Sequence, residues 1–325
     1  MSLNNGIPIH ASVLLLTYNQ KQFVQESLQS LLDQDYEDLE IVVSDDNSED
    51  GTWEMLVEIA KQYYGSKKII LHRNANNLGV VGNYYKAFSL SSGELLFTAA
   101  GDDISLPGRC RECIQLWLQC DKRPDLIAAD GYDMLSDGNI IGIKATDDLQ
   151  SWNIKKWSKK RPYMFGASHM MTRKLLALRT LNPALPVEDQ NLIIRAFMMG
   201  GAIRCALPLV KHRRGGISQA RRLWTYLEKK ARLIKSSHEA LLERDEILLD
   251  AACLGLDIAW AVEESLHSNT YALRVLQADS TLQMFKYFFS SKMVSWGKRI
   301  KFLSFASMPG WHATILNLKR TFRAQ

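Results

Sequence analysis

The first hundred residues alternate short apolar runs with stretches of helical spacing, and this alternation constrains the fold more than any other feature of the chain. Runs at residues 11–18, 40–44, 68–72 and 95–99 are short and largely apolar, as strands buried on both faces are. Between them, residues 23–33, 51–64 and 81–90 place apolar side chains at helical intervals, with Phe23, Leu28, Leu31 and Leu32 in the first and Trp53, Leu56, Val57 and Ala60 in the second. Strand and helix in turn predict βαβ units, because a parallel strand returns to the sheet only through a crossover. The expected class is α/β with a mainly parallel sheet.

In such a sheet the strand tips share one edge, and ligands bind there. Three tips carry polar groups: Thr17, Tyr18 and Asn19; Asp45 and Asp46; and Asp102 and Asp103. The last pair follows the apolar run 95–97, with Gly101 before it and Pro107 soon after. Adjacent carboxylates at the end of a buried strand offer the hard oxygen ligands that Mg²⁺ and Mn²⁺ take. They also suit an ordinary turn, since Asp is a good turn former. The first turn has no GxGxxG and the chain has no GxxxxGK[ST], so the dinucleotide and P-loop readings are excluded.

Further along, a helix is expected to about residue 118 and strands at 126–129 and 140–143, joined through an Asp137-Gly138 turn. Cys110 and Cys113 fall on that helix with no second pair, which argues against zinc. Residues 146–161 are polar, basic and weakly periodic, and read as a mobile loop. A strand at 163–172 carries His169. Residues 186–190 open a helix over 191–199, with Glu188 and Asp189 where the helix dipole favours acids. A strand at 203–210 leads to Lys211, His212, Arg213 and Arg214. From about residue 221 the spacing is helical, with amphipathic stretches at 223–234 and 240–254. Beyond Asp279 stand eight Lys or Arg and no Asp or Glu, interleaved with Phe285, Phe289, Trp296 and Trp311 among other aromatics. That end reads either as an element for an anionic membrane surface or as a helical subdomain with its aromatics turned inward.

The 325 residues suffice for one large domain or two ordinary ones. A net charge of +5 suits a phosphate-bearing small molecule and is too mild for nucleic acid. Five scattered cysteines point to a reducing compartment rather than a disulfide framework. Neither a leader at residues 1–10 nor an apolar run of membrane-spanning length is evident. The expected location is the cytoplasm, with peripheral attachment to the inner face of the cell membrane as an extension of it.

Residues 12–19 (SVLLLTYN), 41–52 (IVVSDDNSEDGT), 77–83 (NLGVVGN), 92–94 (SGE), 101–107 (GDDISLP), 187–192 (VEDQNL) and 213–218 (RRGGIS) together resemble the inverting family 2 glycosyltransferases of GT-A fold. The resemblance covers residues 9–220 and not the helical remainder. It implies a nucleotide-sugar donor, a UDP-sugar above others, and a glycan or lipid-linked glycan acceptor in bacterial surface polysaccharide synthesis. It implies that Tyr18 stacks on the base, that Asp46 accepts from the uracil N–H, and that Thr17, Asn19 and Asn83 line the same pocket. The family's Asp-x-Asp-Asp motif lacks its first acid, replaced by Ala100. Asp102 is then the expected ligand of Mn²⁺ or Mg²⁺ and Asp103 a ribose or supporting contact, with diphosphate oxygens and water completing the octahedron. Asp189 matches the catalytic base, Glu188 supports it, His212 stands near the family's metal-binding histidine and His169 on the acceptor side. Residues 1–220 are expected to form the donor-binding and catalytic domain, and residues 221–325 a membrane-surface, oligomerisation or acceptor-side region; a homo-oligomer stays open. Two rival readings are a sugar-nucleotide nucleotidyltransferase, whose glycine-rich first loop is absent from residues 17–22, and a non-catalytic glycan-binding protein, for which Ala100 speaks and Asp189 does not.

Overall fold

The computed structural model describes residues 9–214 and 224–321. Gly215–Ser218 of the family-like motif, the 220/221 boundary and residues 322–325 lie outside the described residues. The chain divides into two compact units, Met1–Ser218 and Gln219–Gln325.

The first unit begins with β1 (Ala11–Thr17), α1 (Val24–Leu32), β2 (Leu39–Asp45), α2 (Thr52–Gln62), β3 (Lys68–Arg73), α3 (Gly79–Leu90) and β4 (Leu95–Ala100). β1, β2 and β4 are buried almost throughout, which is why they are apolar on both faces, while β3 at the sheet edge is half-exposed. Val13, Leu15, Ile41, Val43 and Phe97 of these strands pack with Val24, Leu28, Leu31 and Leu56 of the helices in one core. Each such side chain fully buried contributes about 1.5–3 kcal/mol. β1 runs parallel to β2 and to β4, pairing Thr17 with Asp45 and Leu16 with Ala100. Tyr18, Asp46 and Gly101–Asp103 therefore leave the sheet at one edge.

There follow β5 (Ile104–Ser105), α4 (Arg109–Gln119), β6 (Leu126–Met134), β7 (Ile140–Lys144), α5 (Ile154–Lys159), β8 (His169–Thr172), α6 (Arg173–Ala177), α7 (Asp189–Met198) and β9 (Ala202–Arg213). The strand order is β3-β2-β1-β4-β8-β6-β9-β5, with β7 attached to β6. β8 is antiparallel to both β4 and β6, whereas β6 and β9 run parallel with register shifts around Asp130 that bend the pair. β5 is antiparallel to β9, Ile104 opposite Lys211, and this pairing sets His212 and Arg213 beside Asp102 and Asp103.

Residues 146–161 are not the irregular loop that their spacing predicts. They hold a 3₁₀ turn at Leu149–Ser151 and α5, capped by Asn153, whose side chain accepts from the Lys156 N–H. Trp152 and Trp157 are buried, with Lys156 over the first ring at 4.4 Å and Arg161 over the second at 3.9 Å. The strand expected at 163–172 is shorter, because a 3₁₀ turn at Gly166–Ser168 takes its first half.

The second unit is helical: α8 (Tyr226–Cys253), α9 (Ala259–Leu276), α10 (Thr281–Ser290), α11 (Trp296–Ser307) and α12 (Pro309–Thr321). Thr225 and Glu228 close a capping box at the start of α8. Residues 235–239 contain neither Gly nor Pro, so the two helical stretches expected there join into one helix of 28 residues. Tyr271, Val275 and Val294 form one small core of this unit, and Ala272, Leu276 and Phe305 another. No helix among the described residues is long and apolar enough to cross a membrane.

Candidate active site

At the polar edge of the sheet lies a cavity of about 420 Å³. Its lining includes Thr17, Tyr18, Asp46 and Asn83, the Asp102–Asp103 pair, and Gly166, Glu188, Asp189, His212 and Arg213. Nine of the residues expected at the site from the sequence thus meet in one cavity. Asn19 and His169 do not line it. Asn19 sits at φ 52°, its Oδ1 accepting from the Glu49 N–H at 2.9 Å, so it ties two loops together. His169 is buried in the sheet between β4 and β6, and burial pushes its imidazole down to about 3.

Tyr18 is 51% exposed, its ring free to receive a planar group. Asp46 is buried and already bonded, accepting from the N–H groups of Leu78 at 2.8 Å and Gly79 at 2.9 Å and from the Asn74 amide at 2.9 Å. Asn74 also donates to Asn83 Oδ1 at 2.9 Å, and Asn83 donates to the Ser44 carbonyl at 2.9 Å. These bonds fix the wall before any ligand arrives. Thr17 donates its hydroxyl to Asp45 at 2.9 Å.

The acidic turn is held from two directions. Gly101 N–H donates to the Leu16 carbonyl at 3.0 Å, tying it to β1. On the other side Arg213 N–H donates to Asp103 Oδ1 at 2.8 Å, and Arg213 Nε donates to the Asp102 carbonyl at 3.0 Å. The guanidinium also pairs with Glu26 and lies 4.3 Å from the Phe23 ring centre. A side chain at residue 101 would meet Gln20 at 2.5 Å and Thr17 at 2.9 Å, so the turn needs glycine there. Burial raises both Asp102 and Asp103, and the neighbouring Asp102 charge helps push Asp103 up to about 7. Among the described residues the Asp102 carboxylate has its own N–H and the Arg213 charge for support, and no other residue's hydrogen bond.

The donor set suits a hard divalent cation: two raised carboxylates on one turn, one of them with spare oxygens, in a cavity. No three His, Cys, Asp or Glu side chains among the described residues converge into a full ligand set. An ion here would need oxygens from its ligand or from water.

Glu188 caps α7 and Asp189 is its first residue. Both are buried. Burial and the Asp189 charge push Glu188 up to about 8, and burial pushes Asp189 up to about 6 against a hydrogen bond from the Gly166 N–H. Gly166 packs so closely that a Cβ there would lie 2.5 Å from Asp189 Oδ1. Glu188 Oε2 is buried with no hydrogen-bond partner among the described residues.

Sequence reasoning missed Lys144, the last residue of β7. Its ammonium is 2.9 Å from His212 Nδ1 and 4.8 Å from the Phe165 ring centre, with Asp103, Asp133 and Asp189 around it. Burial and this charge push His212 down to about 4, against Asp133 and the ring's own backbone carbonyl. Lys144 follows an exposed hairpin, and no local pattern marks it.

A family model described as glycosyl transferase family 2 matches residues 12–176, just over half of the chain. The chain belongs to that family. This glycosyltransferase is 27% identical over 203 residues to EpsE of Bacillus subtilis, which carries a glycosyltransferase name, covering 61% of this chain and 69% of that one. It is 36% identical over 150 residues to the abequosyltransferase RfbV of Salmonella typhimurium, 44% of each chain. The matched stretch spans less than two thirds of the length of RfbV and of several other curated relatives. The fold matches S. aureus TarS 1-349 in complex with UDP-GlcNAc, with TM-score 0.56, 14% identity, and coverage of 97% of this chain and 92% of that one. It also matches the mannosyltransferase PcManGT from Pyrobaculum calidifontis in complex with GDP-Man and Mn²⁺, with TM-score 0.54, 16% identity, and coverage of 94% and 88%. The α/β, mainly parallel sheet is the GT-A fold of these neighbours, and the C-terminal region of this chain is helical.

Proposed function

We propose that this glycosyltransferase moves a sugar with inversion from a nucleoside diphosphate donor, a UDP-sugar above others, to a hydroxyl of a glycan or lipid-linked glycan in bacterial surface polysaccharide synthesis. The observation that carries the reading is Asp189, poised at about 6 on the first turn of α7, in one cavity with Tyr18 and the Asp102–Asp103 turn. Tyr18 stacks on the base, and Asp46, already fixed by the 77–79 loop, presents its remaining acceptor capacity to the base edge. Thr17, Asn83 and Asp103 complete the nucleotide side. Asp102, seconded by Asp103, would hold Mn²⁺ or Mg²⁺, and the ion would offset charge on the leaving diphosphate. Asp189 takes the proton from the acceptor hydroxyl. The freed oxygen forms its bond to the anomeric carbon as the bond from that carbon to the diphosphate breaks, and the nucleoside diphosphate departs. Glu188, held protonated by its burial, spares Asp189 a second negative neighbour. RfbV, named as an abequosyltransferase, supports a polysaccharide context, and the TarS and PcManGT complexes support a nucleotide-sugar donor. The test is a panel of UDP-, GDP-, dTDP- and CDP-sugars with Mn²⁺, read by thermal shift and by donor hydrolysis. Absence of both binding and hydrolysis across the panel would sink the reading.

The same proposal places the second unit on an anionic membrane face. Leu282, Phe285 and Phe289 recur on one exposed face of α10, beside Lys286. Phe289 and Trp296, 64% and 60% exposed, both pack on Phe288, at 5.2 and 5.3 Å between ring centres, so their outer surfaces adjoin. Solvent-facing aromatics in a stretch with eight cations and no acid are what an anionic bilayer attracts.

A further inference from the structure

The chemistry at His212 is decided by its neighbour. An ammonium has three donors and no acceptor. With Lys144 Nζ 2.9 Å from His212 Nδ1, that ring nitrogen can only accept, because a proton on it would face another donor. Burial and, to a lesser degree, the Arg214 charge push the Lys144 ammonium down, and the Asp103, Asp133 and Asp189 carboxylates oppose them. The ring is further held edge-on to Phe165, 5.3 Å between centres and 78° between planes. In the neutral imidazole the proton then sits on Nε2. His212 lines the cavity beside Arg213 and the two-carboxylate turn, whereas Lys144 stands behind it, outside the cavity wall. A nitrogen that carries a proton has no lone pair for a cation but donates well to an anionic oxygen.

Resting on the nucleotide-sugar reading above, we propose that His212 donates a hydrogen bond from Nε2 to the donor's diphosphate and does not ligate the metal, and that Lys144 is the positioning residue that fixes this tautomer. The proposal separates two jobs that the cavity must do. Asp102 and Asp103 attract the cation, while the His212–Lys144 pair faces the anion with a neutral donor backed by a charge. It also accounts for the lack of a third protein ligand among the described residues.

Three measurements on the full chain decide it. Two-dimensional ¹H–¹⁵N spectra of labelled protein should show His212 as the Nε2–H tautomer; an Nδ1–H tautomer, with the ring turned to its own carbonyl, overturns the proposal. UDP affinity in EDTA should fall about tenfold in His212→Ala, the size of one hydrogen bond to a charged group, and stay within about threefold in His212→Gln, which keeps an N–H in place. Lys144→Met should also weaken UDP in EDTA and add the Nδ1–H tautomer to the spectrum. Mn²⁺ affinity of the protein–UDP complex, read from the free-ion electron spin resonance signal, should be unchanged in His212→Ala. A tenfold loss of Mn²⁺ affinity with unchanged metal-free UDP affinity makes His212 a ligand and refutes the inference alone. Failure of the native chain to bind UDP or GDP in either buffer refutes the nucleotide-sugar reading and this inference with it. Thermal melts of each variant establish that it is folded.

Discussion

Gly166 is the position where one methyl group should separate binding from chemistry. A Cβ there would lie 2.5 Å from Asp189 Oδ1, 3.3 Å from Cγ and 3.4 Å from Oδ2, so the new atom meets the carboxyl group and nothing else in its closest contacts. Carbon and oxygen rest comfortably no closer than about 3.4 Å, so the carboxyl must recede by roughly 0.5–0.9 Å. A displacement approaching 1 Å at a reacting group costs on the order of 10²-fold in rate, or about 2.7 kcal/mol of barrier. The hydrogen bond from the Gly166 N–H lowers the Asp189 carboxyl, so weakening it moves that group further up. Native kcat/KM should rise with pH through about 6, where Asp189 ionises, and level off above. Gly166→Ala should show a plateau about 10²-fold lower, a midpoint at higher pH, and UDP affinity within about twofold of native, because neither Tyr18 nor Asp46 is among the atoms that the new Cβ meets first. Initial-rate transfer assays from pH 5 to 8, with UDP titrations alongside, measure all three, and Asp189→Asn gives the floor. A folded Gly166→Ala protein that transfers at the native rate with the native pH midpoint would show that Asp189 is not the base.

Three further outcomes are expected. Tyr18→Ala should raise the Kd for the nucleotide about tenfold, the loss of one base-stacking contact, with kcat little changed; an unaltered Kd by calorimetry places the base elsewhere. The carboxyls of Glu188 and Asp103 lie higher in the folded chain than in the unfolded one, so the folded state holds their protons longer and ligand-free stability falls as pH climbs from about 4.5 to 8; Glu188→Gln should remove part of that slope and raise Tm at pH 8 by about 2 °C or more, whereas a steeper slope contradicts the buried acid. Phe285→Ser with Phe289→Ser should abolish sedimentation with vesicles rich in phosphatidylglycerol while donor hydrolysis in solution persists, and native protein that ignores such vesicles, or binds neutral ones equally, refutes the membrane assignment.

The polar strand tips were legible in the sequence for a physical reason. Burial on both faces makes β1, β2 and β4 continuous apolar runs, so Thr17, Asp46 and Asp102 stand out where each run stops. The tip of β1 also misled. Asn19 shares the location of Tyr18, but its left-handed backbone turns the side chain to Glu49, and one residue's φ leaves no periodic trace. His169 looked reachable because a short strand does not announce which neighbours cover it; β4 and β6 do, and both are distant in sequence. Lys144 reaches the site only through the pairing of β6 with β7 and β9, and Gly166 matters for the space it leaves to Asp189, a property of the assembled fold. Residues 149–159 are ordered by two buried indoles under cations, a device without helical or strand spacing.

The Arg213 bond to Asp103 spans 110 residues of chain and joins the last strand of the first unit to a turn made near its start. Loop closure over such a separation is slow, so this bond belongs to the late phase of folding. A ribosome delivers β1 through β4 well before β9, and until β9 docks, the acidic turn is tied only from the β1 side and lacks the Arg213 N–H and guanidinium. The nascent first unit can thus acquire its sheet early and its competence only at the end. A chain interrupted between β4 and Arg213 would carry every acidic strand tip and yet hold the acidic turn from one direction only.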